Sequence, residues 1–404
     1  MQVEMMIAGR RVARLFILLS VVPLAGSVAA GQLLPAHSDV QFLPPDRSER
    51  LDIYMPPEAA PGRKYPGIVF IHGGAWVSGS KGGSIEKSTC SDLALAGFVC
   101  ASIDYKLAFA GNPSWPVNIR DCKTAVQFLR VHAGTYQIDA DHIGAIGWSA
   151  GGHLSLMLGM TKADDGLEPT EPYGAVSSQV QAVVSMYGVA NLETWSFTYY
   201  SQTMLGVAYL DDPDLWAFAS PVSHVAPDNS PVLFLHGTAD NLVPIRQSEE
   251  LASLLDDQGV ENLLHPVQGA YHYFNLQPSG EDLRPLTVGF FNRYLRPHRR
   301  ADFDLDGDID QSDFGYFQAC LSGPDTPRAE SRCWFARLDG DDDVDQDDVA
   351  LFEACSTGPG VPVTDQPFEE GSRPDVGYKA VVKTWGGLVK QDGADSRGGK
   401  ASRF

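Results

Sequence analysis

The chain has 404 residues, of which 44% are hydrophobic and 20% are charged. This composition is typical of folded proteins and excludes wholesale disorder, and the length predicts roughly two or three domains. The net charge of -21 argues against a nucleic-acid-binding protein, because neutralising phosphates requires clustered cations. Residues 301–350 alone hold 15 acidic and three basic residues, so this segment needs an explanation of its own.

The N-terminus has the pattern of a secretory signal peptide. Three arginines precede an apolar run at 15–24, and small residues follow it up to a cleavage site after Ala30. A membrane anchor is the alternative, but about ten apolar residues are too few for a bilayer that requires roughly 20. The sequence therefore predicts a signal peptide at 1–30, a secreted protein (extracellular, periplasmic or cell-surface) and no membrane span in the mature chain.

Residues 31–298 alternate between strand-like and helix-like patterns, after a first pair of strands expected between Asp39 and Met55. Their apolar runs are continuous rather than alternating, which is typical of parallel strands buried on both faces. The pattern predicts a doubly wound α/β domain with a mostly parallel sheet. The predicted strands lie at 67–71, 98–103, 142–147, 180–186, 231–235 and 262–267, and the predicted helices lie near 118–133, 151–160, 245–258 and 282–295.

The segment 189–222 interrupts this alternation and is rich in aromatic residues. Long loops on such a scaffold frequently carry functional residues. Two interpretations fit the segment: a small cap over a pocket, or a surface insertion that is packed by its own aromatic side chains.

The sequence Gly-Trp-Ser-Ala-Gly at 147–151 has the G-x-S-x-G pattern of a nucleophile elbow. It follows a predicted strand and precedes a helix rich in Leu and Met, which is the context that the motif requires. The sharp turn leaves no room for side chains at its flanking positions, and it raises the serine hydroxyl out of the sheet. Ser149 is therefore the predicted nucleophile.

A serine nucleophile requires a general base and a carboxylate that orients the base. On this scaffold the chain order is serine, acid, histidine. Asp240 and His272 each follow a predicted strand, where parallel sheets hold catalytic groups. Asp240 also fits the cap of the following helix, so we weigh the three residues as one set. Other candidates fit less well, because they fall within a helix or strand pattern or precede the acid loop: Asp256, Asp257, His265 and His236.

An acyl-transfer enzyme must also stabilise the oxyanion that forms during attack on the carbonyl. The sequence His-Gly-Gly-Ala-Trp at 72–76 follows a predicted strand and matches the HGGG-type motif, whose backbone N–H groups point into the site. The residue after the nucleophile supplies a further donor. The predicted oxyanion donors are therefore the amides of Gly73, Gly74 and Ala150.

Together with Asp-Tyr-Lys-Leu at 104–107, these motifs make residues 45–296 resemble the α/β-hydrolase superfamily. The resemblance is to its esterase/lipase group, which includes hormone-sensitive-lipase-like and bacterial feruloyl-esterase-like enzymes. It implies hydrolysis of carboxylic esters by the serine, histidine and aspartate named above, without a cofactor for catalysis. One departure is Ala75, where related motifs frequently have a third glycine. Little chain precedes the first strands, so an N-terminal helical cap is not expected, and this implies an open site.

Residues 301–359 contain an internal repeat with an offset of 35 residues, because Phe317 and Cys320 recur as Phe352 and Cys355. Within each copy an Asp-rich loop precedes a short helical pattern. The first loop has oxygen-bearing side chains at positions 1, 3, 5, 9 and 12 and a glycine at position 6, as in an EF-hand loop that binds calcium. Its predicted ligands are Asp302, Asp304, Asp306, Asp310 and Asp313.

The repeat resembles a dockerin type I module, which implies a small all-α, EF-hand-like fold with structural Ca²⁺ and a cohesin-like or cell-surface partner. The second loop departs from the pattern, since Arg337 replaces an acidic ligand and Asp342 replaces the turn glycine, so we expect weak calcium binding or none there. A solvated acidic linker is the alternative for the whole segment. We place the module at 299–359 and a disordered tail at 360–404. The predicted ligands of the second loop are Asp339, Asp341, Asp345 and Asp348.

The sequence thus predicts a secreted serine carboxylesterase that works through an acyl-enzyme, with acetyl or feruloyl esters on polysaccharide as expected substrates. A prolyl-oligopeptidase-type peptidase shares the triad order and the elbow, and an adhesion protein on an inactive hydrolase scaffold is a further alternative. The six cysteines permit disulfides in an exported protein, but the sequence does not assign their pairing.

Overall fold

The computed structural model describes residues 32–296, except 58 and 279, and parts of the C-terminal segment, namely 301–303, 308–324, 326, 333, 336–338 and 343–358. The predicted signal peptide and the predicted tail lie outside the described residues. All of the secondary structure that is described lies in one unit, which begins at Leu33. The domain boundary that we place near residue 299 therefore stays a prediction.

An eight-stranded sheet organises this unit, with strand order β1-β2-β4-β3-β5-β6-β7-β8. The β1–β2 and β2–β4 pairings are antiparallel and the other pairings are parallel, so the predicted mostly parallel sheet is confirmed. The strands are β1 His37–Val40, β2 Leu51–Tyr54, β3 Tyr65–Ile71, β4 Val99–Ile103, β5 Ile138–Trp148, β6 Ala182–Met186, β7 Val232–Gly237 and β8 Asn262–Val267.

Helices follow the strands, and both faces of the sheet are buried. Along β3, Val69 and Ile71 join one hydrophobic core, while Ile68 and Phe70 join the other. Such two-sided burial explains the continuous apolar runs of the sequence. None of the helices in the described part of the chain combines the length and the hydrophobicity that a membrane span requires. The helices of this part are α1 Ser84–Leu95, α2 Val117–Val131, α3 Ala150–Met160, α4 Thr198–Leu205, α5 Pro213–Phe218, α6 Arg246–Asp257 and α7 Arg284–Leu295.

Helix α1 is absent from the elements that the sequence predicts. Three of its buried side chains are polar, Glu86, Thr89 and Ser91, so its inward face lacks a clear apolar stripe. An amphipathic pattern is the main signal of a helix in a sequence. The helix was missed because its polar residues are buried only once the sheet and its partners are in place.

The aromatic segment 189–222 holds α4 and α5 and is anchored on the main domain. Trp195 is buried, and its indole N–H donates a hydrogen bond of 2.8 Å to the carbonyl of Leu242. The ring of Trp195 also contacts that of Trp76 edge-on, with centroids 5.8 Å apart. The segment is therefore fastened both to the turn after β3 and to the loop after β7.

In the described C-terminal residues, each copy of the 35-residue repeat forms one helix. They form α8 Gln311–Cys320 and α9 Gln346–Cys355, and the rings of Phe317 and Phe352 stack with centroids 5.2 Å apart. Equivalent backbone hydrogen bonds join the two copies of the repeat. The N–H of Ser322 donates to the carbonyl of Val344, and the N–H of Thr357 donates to the carbonyl of Ile309, each at 2.9 Å. One disulfide joins Cys320 to Cys333, whereas Cys90, Cys100 and Cys122 are buried thiols.

Truncating the core should cost far more stability than truncating the surface. Phe291 is fully buried on α7, and a Cβ on Gly144 would lie 2.7 Å from its ring, so the packing there is tight. We expect Phe291→Ala to lower the free energy of unfolding by about 3–5 kcal/mol. The matched control is Phe109→Ala, since Phe109 is 62% exposed and its loss should change stability by less than about 0.5 kcal/mol. Urea unfolding measures both, and equal losses would contradict this packing.

Candidate active site

The nucleophile turn joins β5 to α3 and holds Ser149 in an unusual backbone conformation. Ser149 has φ 55° and ψ -118°, a region that side-chain-bearing residues rarely adopt. A Cβ on Gly151 would overlap the carbonyl oxygen of Ile71, and one on Gly147 would overlap the carbonyl of Gly151. Glycine is therefore required on both sides of the serine, as the motif predicted.

The structure brings the predicted triad together. His272 Nε2 lies 2.9 Å from Ser149 Oγ, and His272 Nδ1 lies 2.6 Å from Asp240 Oδ2. Asp240 accepts two backbone N–H bonds of 2.9 Å at its other oxygen, and its side chain is fully buried. With Nδ1 donating to the carboxylate, Nε2 is left to accept the serine proton, which is the geometry of a general base.

Two further residues support this triad: Tyr187, which no sequence pattern indicates, and His236, which the sequence offers only as a poorer candidate for the triad. The Tyr187 hydroxyl donates to the carbonyl of Phe274 at 2.6 Å, and its ring lies edge-on to the His272 imidazole, 4.8 Å between centroids. His236 is buried beside Asp240, where Nε2 lies 2.8 Å from the Val243 carbonyl. Burial lowers the pKa of His236, which favours the neutral ring. No local sequence pattern marks the Tyr187 contact, because it joins residues 87 positions apart.

The predicted oxyanion donors lie on two adjoining turns at the same edge of the sheet. Ala150 is the first residue of α3, so its N–H is one of those that a helix leaves without an internal partner. Gly73 and Gly74 follow β3, and within residues 32–296 their N–H groups donate to no protein acceptor. Gly74 has φ 110°, and the two residues after it, Ala75 and Trp76, also have positive φ.

A half-buried tryptophan sets the position of Gly73. A Cβ on Gly73 would overlap the indole ring of Trp148, the residue before the nucleophile. The indole N–H of Trp148 donates a 2.8 Å hydrogen bond to Glu86, which is 2% exposed at the start of α1. Burial raises the pKa of the Glu86 carboxyl. The oxyanion turn, residues 72–76 after β3, therefore rests on a side chain that α1 holds in place.

A second contact fastens the other end of the same turn. The indole N–H of Trp76 donates to His153 Nδ1 at 3.2 Å, which leaves His153 Nε2 to donate to the carbonyl of Ala219 at 2.8 Å. The imidazole must be neutral to accept at Nδ1. Burial lowers the pKa of His153 to about 4, which keeps it neutral at physiological pH. The chain of bonds thus ties the oxyanion turn to α3 and to segment 189–222.

The predicted calcium ligands are placed only in part. Carboxylate oxygens of Asp308, Asp310 and Asp313 lie within 4.8 Å of one another, and so do those of Asp343, Asp345 and Asp348. Asp308 and Asp343 were not among the predicted ligands, since position 7 of an EF-hand loop supplies a backbone carbonyl. Asp302 is described and buried but lies outside these groups. Four further predicted ligands lie outside the described residues: Asp304, Asp306, Asp339 and Asp341.

The fold and the arrangement of Ser149, His272 and Asp240 define an α/β-hydrolase. The BD-FAE family model matches residues 51–255, which is half of the chain, and the chain belongs to this family. The matched residues include Ser149 and Asp240 and end before His272.

Esterases are among the similar proteins. Esterase LipQ of Mycobacterium tuberculosis is 31% identical over 246 residues, covering 59% of this chain and 57% of that protein. The chain spans little more than half the length of the curated relatives that it matches first. The structure of a truncated carbohydrate esterase from gut microbiota is 27% identical with a TM-score of 0.60, covering 66% of this chain and 98% of that one. A thermophilic esterase of Thermogutta terrifontis with propionate bound is 28% identical with a TM-score of 0.53, covering 63% and 91%. These likenesses support carboxylic ester hydrolysis.

The buried imidazole of His153 should make the fold sensitive to acid. Its pKa is about 4 when folded, against 6.5 for the ordinary group, so the unfolded chain takes up this proton first as the pH falls. The contribution of His153 to the free energy of unfolding is therefore complete above about pH 6.5 and decreases towards pH 4. The total decrease from this group is roughly 3 kcal/mol. In His153→Gln, urea unfolding at pH 4.5 and 7 should differ less than in the parent chain. A His37→Gln control, at an exposed position, should retain the parent difference, and an unchanged difference in His153→Gln would contradict the assignment.

Proposed function

We propose that the protein is a serine carboxylic ester hydrolase that works through an acyl-enzyme. The observation that carries the proposal is the unbroken contact from Asp240 through His272 to Ser149, at 2.6 and 2.9 Å. The named esterases among its relatives support the same class of reaction. A peptidase of the prolyl-oligopeptidase type and a non-catalytic adhesion protein become outcomes of the tests below.

In this proposal Ser149 Oγ attacks the ester carbonyl while its proton moves to His272 Nε2. Asp240 holds the imidazole in orientation and stabilises the imidazolium that forms. The amides of Gly73, Gly74 and Ala150 donate to the oxyanion of the tetrahedral intermediate. His272 then protonates the leaving alcohol, and water releases the acid from Ser149 by the same steps in reverse.

We propose short acyl groups on polysaccharide as substrates, acetyl or feruloyl esters among them. The carbohydrate esterase neighbour supports a carbohydrate ester, and the propionate bound to the Thermogutta esterase supports a short acyl group. Export follows from the signal-like N-terminus, and it would bring the enzyme to an extracellular, periplasmic or cell-surface polymer.

We further propose that the C-terminal repeat binds structural calcium and serves attachment, to a cohesin-like partner or to the cell surface. Clustered carboxylates at 308–313 and 343–348 suit a hard cation that prefers oxygen ligands. Calcium there would bridge carboxylates at the start of α8 and at the start of α9. The triad residues need no metal for their part in the reaction.

The central prediction concerns ester hydrolysis and its nucleophile. We expect hydrolysis of p-nitrophenyl esters from acetate to laurate to favour short chains. Ser149→Ala should lower kcat by about a millionfold, because a triad without its nucleophile retains little catalysis. A long-chain optimum would instead indicate a lipase. If no ester is hydrolysed, chromogenic peptides test the peptidase, and inactivity on both leaves the adhesion protein.

The steric limit at Gly73 gives a second prediction. Gly73→Ala should push the oxyanion turn away from the Trp148 ring and lower kcat by about a hundredfold, the loss expected when one oxyanion donor is removed. The matched control is Gly82→Ala, where the added methyl group meets nothing nearer than Ser80 Oγ at 3.9 Å. This control should retain parent kinetics on p-nitrophenyl acetate. Equal activity of the two variants would contradict the assignment of the turn.

Calcium binding should be separable from catalysis. The full-length chain is first freed of calcium with a chelator, which is then removed. Titration calorimetry should show calcium binding to this chain and none to the double variant Asp310→Asn/Asp313→Asn. EDTA should lower the thermal stability of 301–359 while p-nitrophenyl acetate hydrolysis stays within about twofold, because no metal takes part in the triad chemistry. Absence of calcium uptake would overturn the metal site, and loss of hydrolysis on chelation would overturn the independence of the two parts.

A further inference from the structure

Helix α1 and strand β4 bring two cysteines into contact inside one of the two hydrophobic cores. Cys90 on α1 and Cys100 on β4 are both fully buried, and their Sγ atoms lie 2.9 Å apart. Unbonded carbon atoms, which are smaller than sulfur, make contact at roughly 3.5–4.0 Å. The two sulfur atoms are therefore closer than packing alone brings them, and the gap exceeds the ~2.05 Å length of a disulfide bond by only about 0.9 Å.

The path of the chain between the two residues accounts for this contact. A tight turn leads from α1 directly into β4, and in it the N–H of Phe98 donates to the carbonyl of Leu93 at 3.0 Å. Successive residues of a strand face opposite sides of the sheet. Val99 accordingly joins one core, whereas Cys100 joins the core that α1 covers. The side chain of Cys100 therefore points towards the helix that carries Cys90.

The third cysteine of this part of the chain lies out of reach of the other two. Cys122 is buried on α2 and belongs to the core on the opposite face of the sheet. The sheet itself therefore separates Cys122 from Cys90 and Cys100. The sequence leaves the pairing of these three residues open, and their places in the fold reduce the candidates to one pair.

Burial determines when a bond between these two residues can form. Disulfide formation requires a thiolate that the oxidant can reach. In the folded chain both sulfur atoms are covered, and burial also raises the pKa of the Cys90 thiol, which disfavours its thiolate. The bond therefore forms most readily while the chain folds, before α1 packs onto the sheet.

We propose that Cys90 and Cys100 form a disulfide as the exported chain folds, and that this bond anchors α1 on β4. The oxidant is itself a disulfide, either glutathione disulfide or the disulfide form of a protein dithiol oxidase. One cysteine thiolate attacks a sulfur atom of the oxidant and releases the other as a thiol, and the second cysteine thiolate then displaces the remaining one from the mixed disulfide. The two cysteines thereby lose two protons and two electrons, and the oxidant is reduced to two thiols. The Cys320–Cys333 bond of the same chain forms by the same exchange.

The bond acts on the helix that supports the oxyanion turn. Glu86 precedes Cys90 by about one helical turn, so the two side chains lie on the same face of α1, and both are buried. The Glu86 carboxylate accepts the 2.8 Å hydrogen bond from the Trp148 indole. Anchoring α1 at Cys90 therefore fixes the turn of helix that holds Glu86. The bond also closes a loop of about ten residues, which restricts the unfolded chain and stabilises the folded one.

Peptide mapping tests the pairing directly. The full-length chain is reduced and unfolded, refolded in a glutathione redox buffer, and then unfolded again without reductant so that every free thiol is alkylated. We expect a linked pair of peptides that contain Cys90 and Cys100, and an alkylated Cys122. Glutathione disulfide added only after the reduced chain has folded should form the link at least about tenfold more slowly, because the sulfur atoms are then covered. Alkylation of all three residues, or a link from Cys122 to either of the others, would overturn the proposal.

Thermal unfolding tests whether the bond anchors the helix. In a Cys320→Ala/Cys333→Ala background, refolding in dithiothreitol instead of the glutathione buffer should lower the Tm by roughly 5–10 °C. The same change of buffer should leave the Tm unaltered when Cys90→Ala/Cys100→Ala is added, whereas the matched control Cys122→Ala should retain the shift.

The outcomes of the thermal measurement are distinct. A linked pair without a shift in Tm would overturn the anchoring role, and an equal shift in the variant without Cys90 and Cys100 would assign the effect to other residues. Neither measurement uses an ester, so both results stand apart from the function proposed above.

Discussion

The site depends on one strained turn, the backbone of Ser149 between the central strand β5 and the buried helix α3. A serine at φ 55° costs of order 1–3 kcal/mol relative to a relaxed conformation. That strain is borne because β5 lies between β3 and β6, and the Ser149 N–H donates to the carbonyl of Met186 at 2.9 Å. As a result, the Ser149 hydroxyl projects from the carboxyl edge of the sheet. The loops that carry Asp240 and His272 begin at the same edge.

The oxyanion turn is a second strained element, and the first one determines where it lies. The carbonyls of Ile71 and His72 sit against Gly151, so the turn after β3 abuts the nucleophile turn through backbone atoms. Trp148 and Trp76 hold its two ends, and each ring relies on a buried hydrogen-bond partner, Glu86 or His153. The glycine-rich segments of the site are therefore held by two hydrogen-bonded rings, half-buried Trp148 and fully buried Trp76.

Much of this was predictable from the sequence, for identifiable physical reasons. Strands buried on both faces leave continuous apolar runs, and the nucleophile turn requires glycines at fixed spacing, so the sheet and Ser149 could be located. The predicted set of Ser149, Asp240 and His272 comes together because parallel strands present their carboxyl ends at one edge. The 35-residue repeat predicted two equivalent helices, and the helices begin at Gln311 and Gln346.

What the sequence did not provide are the contacts between distant segments. Glu86 and Trp148 are 62 positions apart, and Trp76 and His153 are 77 apart, so no local pattern links them. Helix α1 was missed for the same reason, since its buried polar face has meaning only against its partners. Gly73 is a predicted oxyanion donor, but its steric need for glycine follows only from the Trp148 ring.

The most direct test of the central claim is covalent labelling with an active-site fluorophosphonate, followed by intact mass and peptide mapping. This account predicts a single adduct on Ser149 in the parent chain, labelling that is lost in Ser149→Ala, and labelling that is strongly slowed in His272→Ala because the base is missing. No adduct, or an adduct on another residue with Ser149 unmodified, would contradict the assignment of Ser149 as an activated nucleophile.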